Sequence, residues 1–369
     1  MVKPIIFGIS GTHLTENEID LFTHDPCVGF ILFTRNIENK NQLLELTKSL
    51  RELYPQRQIP ILVDQEGGRV ARVKPPIAKK LYPCAEHFAS IYDDNKTLAK
   101  QELKANYAEL MLELKQFGID SPCAPVCDLF FENANEVIGD RSFGTSPEKV
   151  IDLCKSAISG ILHSGGIPFI KHIPGHGRAL VDSHFELPVI DAPLAELEAT
   201  DFLVFKELAS QQSWAMTAHI IYSAIDPLLP TTISPKIIQY IRNNIGFKGN
   251  LVSDDLGMYA LHGEVGKKRG ILKKVIKLAE NNIVWKEDYA ELLEEFLGIN
   301  TYQIGNPAII DICNKKLQDS NTDFLESLAK VTKMSLDAGC DMVLHCSGDI
   351  NEMRAVSSAI AEHKTEINI

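Results

Sequence analysis

The sequence reads as a single (β/α)8 barrel of the TIM type, and three observations carry that reading. Eight short apolar runs of strand length recur along the 369 residues. Stretches with helical spacing of apolar residues separate them, and polar residues gather where the runs end. The runs, read as buried strands, are 5–8, 29–33, 61–64, 119–124, 168–171, 214–219, 250–253 and 341–345.

Between the second and third runs, 41–54 sets Leu43, Leu44, Leu46 and Leu50 at helical spacing, and 97–117, 147–163 and 194–210 read as further helices. Strands that alternate with helices pair in parallel, because a parallel crossover needs about a dozen residues or more and usually takes a helix. An open doubly wound sheet would want G-x-G-x-x-G after the first strand, and Gly8-Ile-Ser-Gly11 is not that motif. Two gaps are long, between the third and fourth runs and between the seventh and eighth. The second holds a basic amphipathic stretch, 267–277, and an acidic one, 280–295, with Leu292, Leu293, Phe296 and Leu297 at helical spacing. They read as two helices of complementary charge, or as a lid or partner surface, since a loop after a barrel strand emerges on the catalytic face. One domain, 1–369, is therefore expected, with a helical insertion at 262–330 between the seventh and eighth strands.

Composition limits the partners. With 45% hydrophobic and 23% charged residues the chain is globular, and 37 Lys and Arg against 49 Asp and Glu give a net charge of −12. That balance argues against nucleic acid or an anionic membrane and favours a small-molecule substrate. The first residues are too short and too broken by Gly8 and Ser10 for a secretory signal or a membrane span. A cytoplasmic monomer is expected. The eight cysteines are dispersed without CxxC pairs and read as reduced thiols; Cys123 and Cys127 are small core residues rather than metal ligands.

A barrel collects its active site at the C-terminal strand ends. Asp64 ends the third run, Lys171 and His172 the fifth, His219 the sixth, and Asp254 with Asp255 the seventh. The densest group is Lys171-His-Ile-Pro-Gly-His-Gly177 followed by Asp182-Ser-His184, where proline and glycines exclude a regular helix. Asp182, two residues from His184, is placed to accept from one ring nitrogen and leave the other for a substrate proton. A carboxylate at the end of the seventh run suits attack on an anomeric carbon. Asp64 with Arg72, and Arg141 in Gly139-Asp-Arg-Ser-Phe-Gly144, offer directional hydrogen bonds to sugar hydroxyls.

The segments Gly29-Phe-Ile-Leu-Phe-Thr-Arg-Asn36, Asp64-Gln-Glu-Gly-Gly-Arg69, Gly139 to Gly144, Lys171 to Gly177, Asp182-Ser-His184, Met216-Thr-Ala-His219 and Ser253-Asp-Asp-Leu256 together resemble the bacterial β-N-acetylhexosaminidases of glycoside hydrolase family three, the NagZ type. They stand in that family's order as far as about residue 260, and Ala338-Gly-Cys-Asp-Met-Val-Leu344 resumes the likeness. The resemblance implies a barrel enzyme that removes terminal N-acetylglucosamine, in particular from muropeptides carrying 1,6-anhydro-N-acetylmuramic acid, without metal or cofactor. It implies Asp254 as nucleophile, His184 as general acid/base and Asp182 as its support, with Asp64, Arg72, Arg141, Lys171 and His172 holding the sugar. His219 joins the substrate-binding set by its motif. The chain departs from compact relatives over about 262–330 and in its short ending.

The resulting mechanism is retaining hydrolysis through a glycosyl-aspartate ester. Three other readings stay open. A neutral imidazole in place of an acidic side chain admits phosphate as acceptor, hence a phosphorylase. His172, His176, Asp182 and His184 could instead bind zinc. A non-catalytic glycan binder is the third.

Overall fold

The structure, a computed structural model, is described for residues 2–183, 186–298, 301 and 304–360, with the backbone alone at 287 and 288. Its strands are β1 (Lys3–Gly8), β2 (Cys27–Leu32), β3 (Ile61–Val63), β4 (Gln65–Gly67), β5 (Val70–Ala71), β6 (Phe169–Ile173), β7 (Val189–Ile190), β8 (Trp214–Thr217), β9 (Ile221–Tyr222), β10 (Leu251–Asp255) and β11 (Met342–His345). Seven of them form one curled sheet in the order β3-β2-β1-β11-β10-β8-β6. Every pairing in it is parallel. β4 and β5 make an antiparallel hairpin, and β7 with β9 a short parallel pair.

The fourth run departs from expectation, because it forms no regular strand. Pro122 and Pro125 have no N–H to donate, and Cys123 takes a left-handed φ of 47°. The segment still lies between the two sheet edges. Val63 donates its N–H to Ser121 O at 3.0 Å, while Phe169 donates to Ala124 O at 2.8 Å and Cys127 to Lys171 O at 2.7 Å. Single parallel bridges join Ser121 to Leu62 and Val126 to Lys171.

Strand alternation divides the buried side chains into two cores. Ile5 and Phe7 point outward into the large core shared with the helices, whereas Ile6 points inward. With Ile6 pack Val28, Ile31, Leu62, Phe169, Met216, Val252 and Met342, and Cys123 joins them from the irregular segment. All eight cysteines are free and six are buried.

The helices are α1 (Glu16–His24), α2 (Lys40–Glu52), α3 (Ala85–Asp94), α4 (Lys96–Gln116), α5 (Pro147–His163), α6 (Leu194–Ala199), α7 (Asp201–Leu208), α8 (Pro235–Tyr240), α9 (Gly263–Glu280), α10 (Lys286–Leu297), α11 (Asn306–Asp319), α12 (Asn321–Ala338) and α13 (Ile350–Ser358). α1 starts on a capping box of Thr15 and Glu18, and α5 starts on Pro147. The expected helix 194–210 is broken at Thr200, where Arg178 bonds both Thr200 Oγ1 and the buried Asp201 carboxylate.

Four helices, α9 to α12, separate β10 from β11. α9, α10 and α11 share a small core of their own around Trp285, with Leu272, Val275, Leu293, Ile309 and Cys313. Between α9 and α10 the ammonium of Lys274 lies 5.2 Å from the Tyr289 ring centre and that of Lys268 5.5 Å from that of Phe296. These contacts are cation–π in kind. Among the described residues no helix is long and apolar enough to cross a membrane.

Candidate active site

The site begins where β3 ends. Asp64 and Glu66 are two residues apart in extended chain and so share a side, while Gln65 turns the other way. Gln65 clamps the hairpin from beneath: its Oε1 accepts the N–H groups of Arg72 and Val73 at 2.9 and 3.0 Å. The turn between β4 and β5 needs glycine at Gly67, whose φ is 105° and where a Cβ would lie 2.1 Å from Pro83 O. The clamp returns Arg72 to Asp64, with Nη2 3.2 Å from Oδ2.

β6 supplies the opposite charges. Lys171, 2% exposed, places Nζ 2.6 Å from Glu66 Oε1 and 3.2 Å from Asp64 Oδ1. Arg141, from the single turn Gly139–Arg141, meets Glu66 with two parallel bonds of 2.7 and 2.8 Å. Burial would raise both carboxyls, but the neighbouring cations outweigh it. Lys171 and Arg72 hold Asp64 below the usual carboxylate range, and Arg141 and Lys171 hold Glu66 well below it. Burial likewise opposes the charge on Lys171, and Glu66 and Asp64 nevertheless push its pKa up. Asp64, Glu66 and Lys171 are therefore ionised at neutral pH.

His172 follows Lys171 and is fixed by Asp128, a fully buried residue of the irregular fourth segment. Asp128 lies 2.7 Å from His172 Nδ1 and also accepts the N–H groups of His172 and His176. His176 stacks edge-on at 5.3 Å. Its ring is buried, with burial and the adjacent His172 driving its pKa down to about 4, so it is neutral at pH 7.

Asp64, Glu66, Arg72, Arg141, Lys171, His172 and His176 line a pocket of about 260 Å³ together with Asp254, Asp255, Met216 and Ser183. Asp254 stands at the C-terminal end of β10, and its Oδ1 accepts the N–H of Asp255 at 2.8 Å. The structure thus brings Asp64, Arg72, Arg141, Lys171, His172 and Asp254 into one cavity. A second cavity of about 790 Å³ shares Arg69 and Val137 with the first, and Asp182 lines that one. Ser183, between the two, bonds His176 Nε2 at 3.1 Å. His184 lies outside the described residues.

His219 differs from expectation. It is fully buried, with ring nitrogens 2.7 Å from Thr232 Oγ1 and 2.9 Å from Asp255 O, and it does not line the pocket. It ties the exit of β8 to the exit of β10. Three lining or supporting residues escaped the sequence reading as sugar-site candidates. Glu66 could have been found from its two-residue spacing to Asp64. Asp128 is the polar residue that follows the fourth run. His176 enters the sequence reading as a zinc ligand in a set that includes His184, which lies outside the described residues.

Comparisons with known proteins agree with this geometry. The glycosyl hydrolase family 3 N-terminal domain matches residues 9–280. A β-hexosaminidase of Alkalilimnicola ehrlichii is 38% identical over 264 residues, covering 70% of this chain and 74% of that protein. One of Shewanella frigidimarina is 38% identical over 257 residues, covering 69% and 73%. The crystal structure of NagZ from Neisseria gonorrhoeae in complex with N-trifluoroacetyl-D-glucosamine superposes with a TM-score of 0.73 at 29% identity, over 99% of this chain and 86% of that one. The family match spans most of the chain and includes every element that builds the pocket except β11, and the chain belongs to glycosyl hydrolase family 3, as a glycoside hydrolase.

Proposed function

We propose that the protein is a retaining β-N-acetylhexosaminidase that releases terminal N-acetylglucosamine from β-linked glycosides. The observation that carries this reading is the meeting of Asp254, from the end of β10, with the fixed ionic set of Asp64, Arg72, Lys171, Glu66 and Arg141 in a single pocket. Charged groups of both signs, held in place before substrate arrives, suit the directional hydroxyls of one sugar ring and cost little ordering on binding. The β-hexosaminidase relatives support the same activity.

In this reading Asp254 attacks the anomeric carbon while a protonated His184 gives its proton to the departing oxygen. The glycosyl-aspartate ester is then hydrolysed by a water that His184 deprotonates, and Asp182 steadies the imidazole. Ser183, next to His184 in the sequence, lines the pocket and Asp182 lines the neighbouring cavity, which supports this reading. The resemblance to the NagZ type favours 1,6-anhydro-muropeptides from peptidoglycan recycling as the natural substrates. We further read the sheet and its fourth segment as a closed barrel, with 262–330 as a helical insertion in a single domain, 1–369. The enzyme would act in the cytoplasm as a monomer without a cofactor.

A chromogenic N-acetyl-β-glucosaminide tests turnover directly. A slow fluorinated N-acetylglucosaminide should leave one sugar esterified to Asp254, detected by peptide mass. Turnover with no adduct on Asp254 would remove the covalent step, and no turnover on either this substrate or a muropeptide would leave a glycan binder. A sugar 1-phosphate product on adding phosphate would instead make it a phosphorylase.

A further inference from the structure

Three buried imidazoles surround the two residues that follow Asp254. His219 approaches the carbonyl of Asp255 with Nε2 at 2.9 Å. His262 approaches the carbonyl of Leu256 with Nε2 at 2.8 Å, while its Nδ1 lies 2.9 Å from Ser327 Oγ on α12. His345, the last residue of β11 and fully buried, reaches side chains instead. Its Nε2 lies 3.3 Å from Glu352 Oε2 on α13 and 3.0 Å from Ser347 Oγ. Its Nδ1 faces Asp255 Oδ1 at 3.8 Å and has no hydrogen-bond partner among the described residues.

Asp255 is itself well held. Its Oδ1 accepts the N–H groups of Cys346 at 2.9 Å and Gly257 at 3.0 Å, and its own N–H donates to the Asp254 carboxylate at 2.8 Å. A chain of contacts therefore runs from α13 through β11 to the strand end that carries Asp254. The His345 ring thus stands between a carboxylate on α13 and the carboxylate that follows Asp254.

The other groups nearby do not take its place. Arg35, which faces Asp255 from the loop after β2, spends its donors on the carbonyls of Ile9 and Cys346. Arg269, which faces Glu352 from α9, is bonded to Leu317 O and Ser320 Oγ. Tyr259 is buried and un-ionised, and burial drives the pKa of His262 down to about 4, leaving it neutral. Burial would raise Glu352, yet the bond from His345 holds it below the usual carboxylate range.

We propose that His345 is a positioning residue for Asp254: its buried ring, set between Glu352 and Asp255, fixes the peptide that holds the Asp254 carboxylate. The inference rests on the reading of Asp254 as nucleophile. A misplacement of about 1 Å at a reacting group can cost on the order of 100-fold in rate, so a modest loosening here is measurable.

The test uses the full-length enzyme and the chromogenic glycoside. His345→Gln should lower kcat on the order of tenfold with KM within about twofold, and Glu352→Gln should do the same more weakly. A folded His345→Gln enzyme with wild-type kcat overturns the proposal. If that variant does not fold, an unchanged kcat in Glu352→Gln overturns it equally. Asp254→Asn separates the two readings: turnover retained there sinks the nucleophile assignment, whereas an inactive Asp254→Asn beside a fully active His345→Gln sinks only the role of His345.

Discussion

The pocket has two kinds of wall. On one side Asp64, Glu66, Lys171 and Arg141 form a lattice in which each charged atom is held by a charge of opposite sign from a different part of the chain. At the end of β10 the carboxylate of Asp254 accepts a peptide N–H, and the neighbouring peptides are held by buried imidazoles. Ion pairs fix direction and keep the acids ionised, which suits groups that hold a sugar. They also draw charge away from the oxygen they hold, which does not suit a group that must form a bond. A neutral N–H orients a carboxylate at a smaller cost to its nucleophilicity. The contrast teaches that both walls are rigid, by different means, and that damage to each should read out differently.

The sharpest break lies at Asp254. Asp254→Asn keeps the shape and removes the nucleophile, so kcat should fall on the order of 1,000-fold or more while the melting temperature hardly moves. Steady-state kinetics and a thermal melt check both halves. The lattice should answer in the opposite sense. Lys171→Met leaves Glu66 with Arg141 and Asp64 with Arg72, so stability should fall by the lower part of the ~3–5 kcal/mol that breaking a buried pair costs. KM for the glycoside should rise with it. Denaturant unfolding that shows no loss would mean the lattice contributes only to binding.

Much of this was readable before the structure, and the failures have physical causes. Asp64, Lys171, His172 and Asp254 could be found because a strand end is visible as the point where an apolar run meets a polar residue. The same rule misplaced His219, since a strand end does not say which way its side chain turns, and this one turns into the core. The fourth run looked like a strand by composition, but Pro122 and Pro125 deny it a ladder, and the edges on either side bond it at scattered points. The helix 194–210 breaks at Thr200, where the bonds from Arg178 come from a partner that no local pattern could point to. Asp128 is separated from His172 by 44 positions, and a lone acid in an apolar stretch has no periodic signal to pair it. His345 ends the eighth run, but its partners Glu352 and Asp255 come from elsewhere in the chain and only the fold places them around it.

Asp128 tests the boundary between the walls, because it holds a sugar-facing ring without touching the sugar. Asp128→Asn retains the size but loses the charge that three donors share. The His172 ring should lose its fixed orientation, and kcat/KM should fall on the order of 10- to 100-fold, the worth of one or two charge-assisted hydrogen bonds. An unchanged kcat/KM would show that the imidazole is oriented by packing alone.

The smallest effect concerns His262, which holds the strand-end peptide as a neutral ring. Its pKa is near 4 in the fold against an ordinary value of 6.5, with burial as the main cause. The unfolded chain therefore binds a proton between those values that the folded chain refuses. Stability is fully present above about pH 6.5 and is lost as the pH falls toward 4, by up to ~1.4 kcal/mol per pH unit from this one group. His176 has the same sign and the same window, whereas the lowered carboxyls Asp64 and Glu66 act below it. His262→Gln keeps a donor toward Leu256 O and removes the titration. Measured by denaturant unfolding between pH 7 and pH 5, its stability should fall less steeply than that of the wild type. Equal slopes would show that the His262 ring already takes up its proton within the fold, and the strand end carrying Asp254 would then be held by a charged ring rather than a neutral one.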